Sequence, residues 1–333
     1  RVTAPPPTVL RTPHPIHDRF HWLEPAVDEM VRRGVEPVGS LRRPLVRRLG
    51  RAAARAALDR NLTRRRGDAV IGVMANGSSA RCFPLLYTHE IVPFAMDCWE
   101  PVWDVWEGSL RRMRVRTACF TARQSADEMA RRIPGLRTIW TPEGIEHAKY
   151  PAGRPLAERS IDVLQIGRLH RHTHDAIAGP LADTGRNYVH PTGDAWLFAD
   201  TSEMIAALAD SKIFVCYPRC DTHPERAGRV ETLTLRYLEG MACRNVIIGR
   251  SPRELVDLFG YDPVVPLQSN ASAWDTIRPI LDHPERHQSL VDRNRDTVLR
   301  LGGWDRRVAR MLDDLRELGY TTRDQTPDDR ERH

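Results

Sequence analysis

Two glutamates, Glu231 and Glu239, stand eight positions apart just ahead of the strand-like run NVIIG at 245–249. On a helix, eight residues return to within roughly 80° of the starting direction and advance ~12 Å. Two carboxylates at that separation could bind two parts of one elongated polar ligand. The commoner alternative is a pair of solvated glutamates on a surface helix. Which alternative applies depends on the elements that position the pair.

Three histidines alternate in the segment LHRHTHD at 169–175, namely His170, His172 and His174. In an extended segment they would share one face, and three such side chains could bind zinc. The alternative is a loop that lines a phosphate pocket, with Arg171 as its nearby cation. We favour the loop, because no glycine-rich hydrolase pattern accompanies the histidines.

The N-terminal half offers scattered polar candidates. Asp97 follows an apolar strand-like run, so it ranks first there as a catalytic residue, while Asn76 and His89 are predicted to bind substrate. A basic helical stretch carries four arginines that could contact an anionic membrane surface. They are Arg47, Arg48, Arg51 and Arg55. We favour a solvated face, because the apolar side of this stretch is mostly alanine.

The composition describes an ordinary globular chain of 333 residues, of which 41% are hydrophobic. Its net charge of +6 is modest for this length, so we expect no nucleic-acid partner. No run approaches the eighteen apolar residues of a membrane span. The six cysteines form no CxxC pair and several lie in apolar runs, so we expect reduced thiols and a cytoplasmic location.

Strand-like and helix-like segments alternate along both halves, a pattern typical of βαβ units and parallel sheets. The predicted strands include DAVIGVM (68–74), EIVPFAMD (90–97), RTACFTA (116–122), IDVLQIG (161–167) and KIFVCYP (212–218). Helix SADEMARRI is predicted to start with a capping box of Ser125 and Glu128. The Pro- and Gly-rich stretch at 141–160 reads as a linker. We therefore predict an N-terminal domain at 1–152, a C-terminal domain at 153–302, and at 303–333 a helix that packs back toward the N-terminal domain, followed by a polar tail.

In an open parallel sheet, ligands bind at the carboxyl ends of the strands. Strand KIFVCYP runs into an irregular loop and then into the helix expected to carry both glutamates. A helix N-terminus favours phosphate there. Glu231 would lie at its mouth near a sugar, and Glu239 about two turns deeper, within reach of a ribose.

These segments resemble glycosyltransferase family 4, whose members are retaining enzymes. E-TLTLRYL-EGMACRNVIIG is similar to the family's Glu-x7-Glu signature, and IDVLQIGRLH to the strand and GRL turn of its donor domain. TPEGIEHAKYP resembles its interdomain segment, and Trp304 in GGWDRRVARML its C-terminal helix. The resemblance implies the GT-B fold, two facing Rossmann-like doubly wound parallel-sheet domains. By position it implies that Glu231 contacts sugar hydroxyls, Glu239 the ribose and Arg168 the diphosphate.

The chain departs from the family pattern at three places. The lysine expected after GRL is missing, the usual EGFG reads ETLT at 231–234, and Arg244 stands where a glycine is usual. Arginine can replace lysine at a phosphate, with a different geometry.

The sequence thus predicts transfer of a sugar from a nucleotide diphosphate sugar to a small-molecule or glycan acceptor, with retention and without metal or other cofactor. The predicted catalytic residues are Glu231, Arg168 and Asp97. The predicted substrate-binding residues are Glu239, Arg171, His170, Thr232, Leu233, Thr234, Asn76 and His89. Two alternatives stay open: a zinc-dependent hydrolase built on the three histidines, and a non-catalytic nucleotide-sugar binding protein.

Overall fold

The computed structural model describes residues 8–11, 24–39, 69–75, 89–193, 197–267 and 272–320. Five sequence candidates lie outside these ranges: Asn76, Arg47, Arg48, Arg51 and Arg55. The chain divides into two compact units. The first contains the described residues up to Pro142 and those from Trp304 onward, and the second contains Glu143–Gly303.

The first unit is built on a six-stranded parallel sheet, with strand order β2-β1-β3-β4-β5-β6. The strands are β1 Thr8–Arg11, β2 Glu36–Gly39, β3 Ala69–Ala75, β4 Glu90–Met96, β5 Thr117–Phe120 and β6 Arg137–Trp140. The central strands β3 and β4 are apolar runs that are buried almost throughout. Continuous apolar strands of this kind are typical of a parallel sheet covered on both faces, so the predicted parallel sheet is confirmed.

Among the described residues up to Pro142, three α-helices connect or cover the strands: α1 Glu24–Arg32, α2 Trp103–Arg112 and α3 Arg123–Arg132. The predicted capping box at the start of α3 is wrong. The N-cap is Ala122, three residues before Ser125, and Ser125 is buried inside the first turn of the helix. There the Ser125 hydroxyl donates to the carbonyl of Cys98, so it ties α3 to the end of β4 rather than capping the helix.

The second unit is built on a five-stranded parallel sheet, with strand order β11-β10-β9-β7-β8. Its strands are β7 Ile161–Leu164, β8 Tyr188–Val189, β9 Ser211–Cys216, β10 Val246–Gly249 and β11 Val265–Pro266. The chain runs from β7 to β8 on one side and then returns to β9 on the other side of β7. The strand order therefore reverses between β7 and β9, and such a switch point opens a crevice at the carboxyl ends of the two strands.

Eight α-helices lie in the described part of the second unit. They are α4 Arg171–Asp183, α5 Thr201–Ala209, α6 Arg219–Thr222, α7 Pro224–Ala227, α8 Leu235–Ala242, α9 Arg253–Phe259, α10 Ala273–Asp282 and α11 Gln288–Leu301. Helix α4 contradicts the extended segment considered for the three histidines. His170 is the N-cap of this helix, and its ring nitrogen accepts from the backbone N–H of Thr173. Residues 171–175 are therefore helical, whereas the alternating histidines suggested an extended strand.

Two backbone positions explain local sequence choices. Gly249 ends β10 with φ 129°, and a Cβ there would lie 2.1 Å from the carbonyl oxygen of Cys216, so only glycine allows β10 to lie this close to the end of β9. Arg244, between α8 and β10, has φ 58°. A left-handed residue is needed at this turn, which accounts for the glycine usual in the sequences that this segment resembles.

The last described helix, α12 Trp304–Glu317, belongs to the first unit. Its apolar face is buried against the same core as β3 and β4. The Trp304 ring meets Phe94 edge to face, with centroids 6.3 Å apart. Among the described helices, none combines the length and the apolar character needed to cross a bilayer.

Candidate functional site

A pocket lies at the switch point of the second sheet. Residues that follow β7 and β9 form two of its walls, and the start of α8 forms a third. The lining residues are Gln165, Ile166, Arg168, Val215, Cys216, Tyr217, Thr222, Thr234 and Arg236. This described lining contains two arginines and no carboxylate, so the pocket suits an anionic or strongly polar ligand.

The wall after β7 is shaped by short-range hydrogen bonds. The Gln165 side-chain amide donates to the backbone carbonyl of Arg168, at 3.3 Å, and so closes the turn that presents Arg168 to the pocket. The His170 ring stacks on Tyr217, with centroids 3.7 Å apart. The Thr173 hydroxyl lies 2.8 Å from both the Tyr217 hydroxyl and the His170 ring. Burial lowers the pKa of His170. Arg171, the first residue of α4, is exposed.

The three alternating histidines point to different partners. His170 packs on Tyr217, His172 is exposed on α4, and His174 lies 3.2 Å from the Tyr188 hydroxyl. Within the described ranges, no group of three or more His, Cys, Asp or Glu side chains is arranged to hold a metal ion. The zinc-site alternative therefore finds no support in this part of the chain.

The wall after β9 contains the two short helices α6 and α7 and the histidine between them. His223 follows the lining residue Thr222 and lies close enough to Arg168 for their charges to interact. Burial lowers the pKa of His223, and Arg168 lowers it further. His223 is therefore uncharged at neutral pH, and Arg168 supplies the fixed positive charge on this side of the pocket.

The two glutamates do not share one helix. Helix α8 begins at Leu235, so Glu231 lies in the irregular segment ahead of it and only Glu239 is helical. The helix predicted to carry both glutamates is therefore shorter than expected. The reason is tertiary: the backbone N–H of Leu233 donates to the buried Glu254 carboxylate at 3.0 Å, outside any helical pattern.

Glu231 is half-buried and holds an arginine. Arg250 donates from Nη1 to Glu231 at 2.5 Å and from Nε and Nη2 to both oxygens of Asp221, at 2.5 and 2.7 Å. The second Glu231 oxygen accepts from the backbone N–H of Arg253, the first residue of α9, at 3.2 Å. The hydrogen bonds to Asp221 raise the pKa of Arg250. Glu231 is thus fixed beside the loop that follows β9.

Glu239 is buried, with a side chain only 5% exposed. One oxygen accepts from the Tyr150 hydroxyl at 2.9 Å and the other from Arg236 at 2.5 Å. Burial raises the pKa of Tyr150, and the Glu239 charge raises it further, so the phenol stays a donor. Arg236, which sequence reasoning missed, reaches the pocket in place of Glu239.

The N-terminus of α8 already carries a carboxylate. The backbone N–H of Leu235 donates to Glu143 at 3.1 Å, and Glu143 belongs to the segment that opens the second unit. Of the three residues between Glu231 and Leu235, only Thr234 lines the pocket, whereas Thr232 and Leu233 are buried. The predicted binding role of these residues stays a prediction, and Thr234 is the one the pocket includes.

In the first unit, Asp97 follows β4 directly and has φ 53°, a left-handed backbone that is uncommon for a residue other than glycine. Its carboxylate accepts from Trp99 Nε1 at 3.1 Å. His89 precedes β4 and therefore lies at the opposite end of the strand, ~20 Å away along seven residues. The structure does not bring His89 and Asp97 together.

Comparisons with known proteins agree with this architecture. Residues 165–313 match the family model described as Glycosyl transferase-like, a range that begins directly after β7 and contains the whole pocket. No curated protein sequence gives a significant match to the chain.

Solved structures resemble both units together. Alr3699/HepE of Anabaena, in complex with UDP and glucose, is similar with a TM-score of 0.60 at 8% identity over 93% of this chain and 99% of that chain. AviGT4, a glycosyltransferase involved in avilamycin A biosynthesis, has a TM-score of 0.54 at 14% identity over 95% and 98%. Sucrose-phosphate synthase of Thermosynechococcus elongatus has a TM-score of 0.55 at 15% identity over 86% and 81%.

At these identities the likeness shows the fold. It confirms the predicted GT-B fold, with its two Rossmann-like domains of parallel strands. The chain therefore has the GT-B fold, and its residues 165–313 match a family model described as Glycosyl transferase-like.

Proposed function

We propose that this protein is a glycosyltransferase that moves a sugar from a nucleotide diphosphate sugar to an acceptor. One observation carries the proposal: the glycosyl transferase-like domain has a pocket at its topological switch point that is lined by Arg168 and Arg236. Open parallel sheets bind ligands at such switch points, and two guanidinium groups suit the diphosphate of such a donor. The UDP and UDP-glucose complexes of HepE support a uridine nucleotide as the first donor to test.

The chemical demand in this reaction is the negative charge that develops on the departing diphosphate. Preorganised cations meet such a demand well because they need no reorganisation as the bond breaks. We assign this role to Arg168, with the positive charge of the neighbouring basic residues behind it. Arginine stays protonated, so a metal ion need not supply this charge, and the sequence offers no Asp-x-Asp pair at a strand end for one.

Glu231 is proposed to orient the transferred sugar. Its carboxylate is fixed by Arg250 and by the backbone of Arg253, and its side chain is 29% exposed, so it can accept hydrogen bonds from sugar hydroxyls. A carboxylate held in this way keeps its position during the reaction. We further propose that transfer retains the anomeric configuration, by attack on the face from which the diphosphate leaves; this rests on the resemblance of the Glu-x7-Glu segment.

The acceptor is proposed to bind the first unit, with Asp97 as its contact residue. Asp97 stands at the carboxyl end of β4, where parallel sheets bind ligands, and its left-handed backbone is a strained conformation that is common at functional sites.

The test combines binding with turnover. The purified chain is mixed with UDP, GDP, ADP and dTDP, and its melting temperature is recorded. A ligand present at a hundred times its dissociation constant adds about 2.7 kcal/mol of stability, so we expect one of the four to raise the melting temperature clearly. With a suitable acceptor, the corresponding sugar nucleotide should then release its nucleoside diphosphate in a coupled assay, in EDTA as well as in buffer.

Three results would count against parts of this proposal. If none of the four nucleotides stabilises the chain, the donor assignment is wrong. Stabilisation without turnover across a panel of sugar acceptors would favour the non-catalytic binding protein. Loss of turnover in EDTA that added metal restores would contradict metal independence.

A further inference from the structure

Arg236 stands in the first turn of α8 and is one of the two arginines that line the pocket. It was not among the residues singled out from the sequence. Its side chain is 31% exposed, so it is accessible to a ligand while most of its surface is enclosed. A residue in this position contacts whatever fills the pocket.

The direction of Arg236 is set by the residue one turn later. Nη1 donates to Glu239 at 2.5 Å and also contacts the Met204 sulfur. Glu239 in turn is fixed through its other oxygen by the Tyr150 hydroxyl. These bonds use one nitrogen of a group that has five N–H donors, so they leave donors for a ligand.

The backbone around Arg236 has fewer N–H groups available to an anion than an uncapped helix N-terminus has. The N–H of Leu233 is bound to Glu254 and that of Leu235 to Glu143. In the described lining, positive charge is therefore supplied by the side chains of Arg168 and Arg236. Burial tends to lower the pKa of Arg236 and Glu239 raises it, with a net rise, so the guanidinium remains charged.

We propose that Arg236 binds the diphosphate of the donor, and that Glu239 and Tyr150 are positioning residues that aim it. This inference rests on the proposed function. It assigns Glu239 a role different from the ribose contact that the sequence resemblance implies, because the buried Glu239 carboxylate reaches the pocket only through Arg236. The two glutamates of the Glu-x7-Glu pair then make the same kind of contact. Each accepts a hydrogen bond from an arginine, Glu231 from Arg250 and Glu239 from Arg236.

The experiment compares a nucleoside diphosphate with its own nucleoside. The diphosphate is the member of the UDP, GDP, ADP and dTDP panel that binds the wild type most tightly, measured by calorimetry. The nucleoside is measured by ligand-observed NMR. Arg236→Gln should weaken the diphosphate roughly ten- to a hundred-fold, the scale of a lost charged hydrogen bond, and leave the nucleoside unchanged. A merely structural role would weaken both ligands together.

Tyr150→Phe and Glu239→Gln test the positioning. Tyr150→Phe should weaken the diphosphate a few-fold and leave the nucleoside unchanged, because it loosens the carboxylate that holds Arg236. Glu239→Gln should also leave nucleoside affinity unchanged. If Glu239→Gln weakens the nucleoside, Glu239 contacts the ribose and the inference is wrong.

Arg154→Gln is the matched control. Arg154 pairs with Asp210, which lies just before β9 at the amino end of the sheet. Its removal should change neither the diphosphate affinity nor the nucleoside affinity. If Arg236→Gln fails to fold because Glu239 loses its cation, the double variant Arg236→Gln/Glu239→Gln removes both charges and carries the same expectation. Diphosphate affinity equal to wild type in either folded variant overturns the inference alone. A wild type that binds none of the four diphosphates overturns the proposed function with it.

Discussion

The carboxyl ends of the two parallel sheets carry different chemistry on the same architecture. In the second unit this end presents arginines, and two of them are each held by a glutamate, Arg250 by Glu231 and Arg236 by Glu239. In the first unit, the described residues at this end include an arginine that lies on an aromatic ring, with the Arg123 guanidinium 3.9 Å from the centroid of Trp140.

The difference shows that one fold can carry two kinds of side-chain chemistry. An arginine paired with a carboxylate keeps a fixed direction, which suits a charged phosphate. An arginine stacked on tryptophan forms a mixed polar and aromatic surface. We therefore expect changes at the second sheet to act on nucleotide binding and changes at the first sheet to leave it intact.

The largest effect is expected from Arg168→Gln. The loss of a preorganised cation beside the departing diphosphate should lower the rate of sugar-nucleotide turnover by roughly 10²–10³. The measurement is kcat and kcat/KM with the sugar nucleotide identified by the binding panel. Arg154→Gln, at the other end of the same sheet, is the control. An unchanged kcat in Arg168→Gln would contradict the proposed role of Arg168 in stabilising the departing diphosphate.

Asp97 variants test the first sheet. Asp97→Gly and Asp97→Ala both lose the bond to Trp99, so they differ only in the backbone at φ 53°. Alanine pays for a left-handed conformation that glycine adopts freely, so Asp97→Ala should be about 1 kcal/mol less stable than Asp97→Gly in urea unfolding. Both should bind the nucleotide like wild type. A loss of nucleotide affinity in the folded Asp97→Gly variant would contradict the division of tasks.

Glu143→Gln tests whether the carboxylate at the N-terminus of α8 opposes the binding of an anion. The change removes a negative charge that accepts from the Leu235 N–H next to the pocket. Charges near a helix end contribute about 0.3–1 kcal/mol, so nucleotide diphosphate affinity should rise roughly two- to five-fold. Calorimetry at low salt gives the clearest reading, with Glu146→Gln as the control nearby in sequence. Weaker binding in Glu143→Gln would show that this carboxylate helps to bind the ligand.

The smallest effect concerns pH. Burial lowers the pKa values of His170, His174 and His223 in the second unit. Because the unfolded chain then binds more protons, the free energy of unfolding should fall as the pH drops from about 7 to about 5. His223→Gln should make this dependence shallower in urea titrations at several pH values. If the free energy of unfolding of this variant falls as steeply with pH as that of the wild type, His223 does not have the lowered pKa that its burial indicates.

Much of the fold follows from the sequence alone. Apolar runs such as those of β3, β4 and β9 predict buried parallel strands because they lack the alternation of a half-exposed sheet. The amphipathic pattern after Trp304 predicts α12 for the same kind of reason. Local signals were weaker where tertiary contacts compete with them. Ser125 has the sequence context of a helix cap, but its hydroxyl is taken by the carbonyl of Cys98.

The candidate site divides in the same way. The sequence by itself determined that Glu231 and Glu239 lie near the carboxyl end of β9, since their place along the chain follows from the strand pattern. Only the tertiary structure decided what each does, because their partners are distant in sequence. Tyr150, 89 residues from Glu239, fixes the carboxylate that holds Arg236. Glu143, 92 residues from Leu235, occupies the helix end expected to be open to phosphate. Spacing along a chain records neighbours within one element, whereas the direction and charge of a site come from side chains that meet only when separate segments pack together.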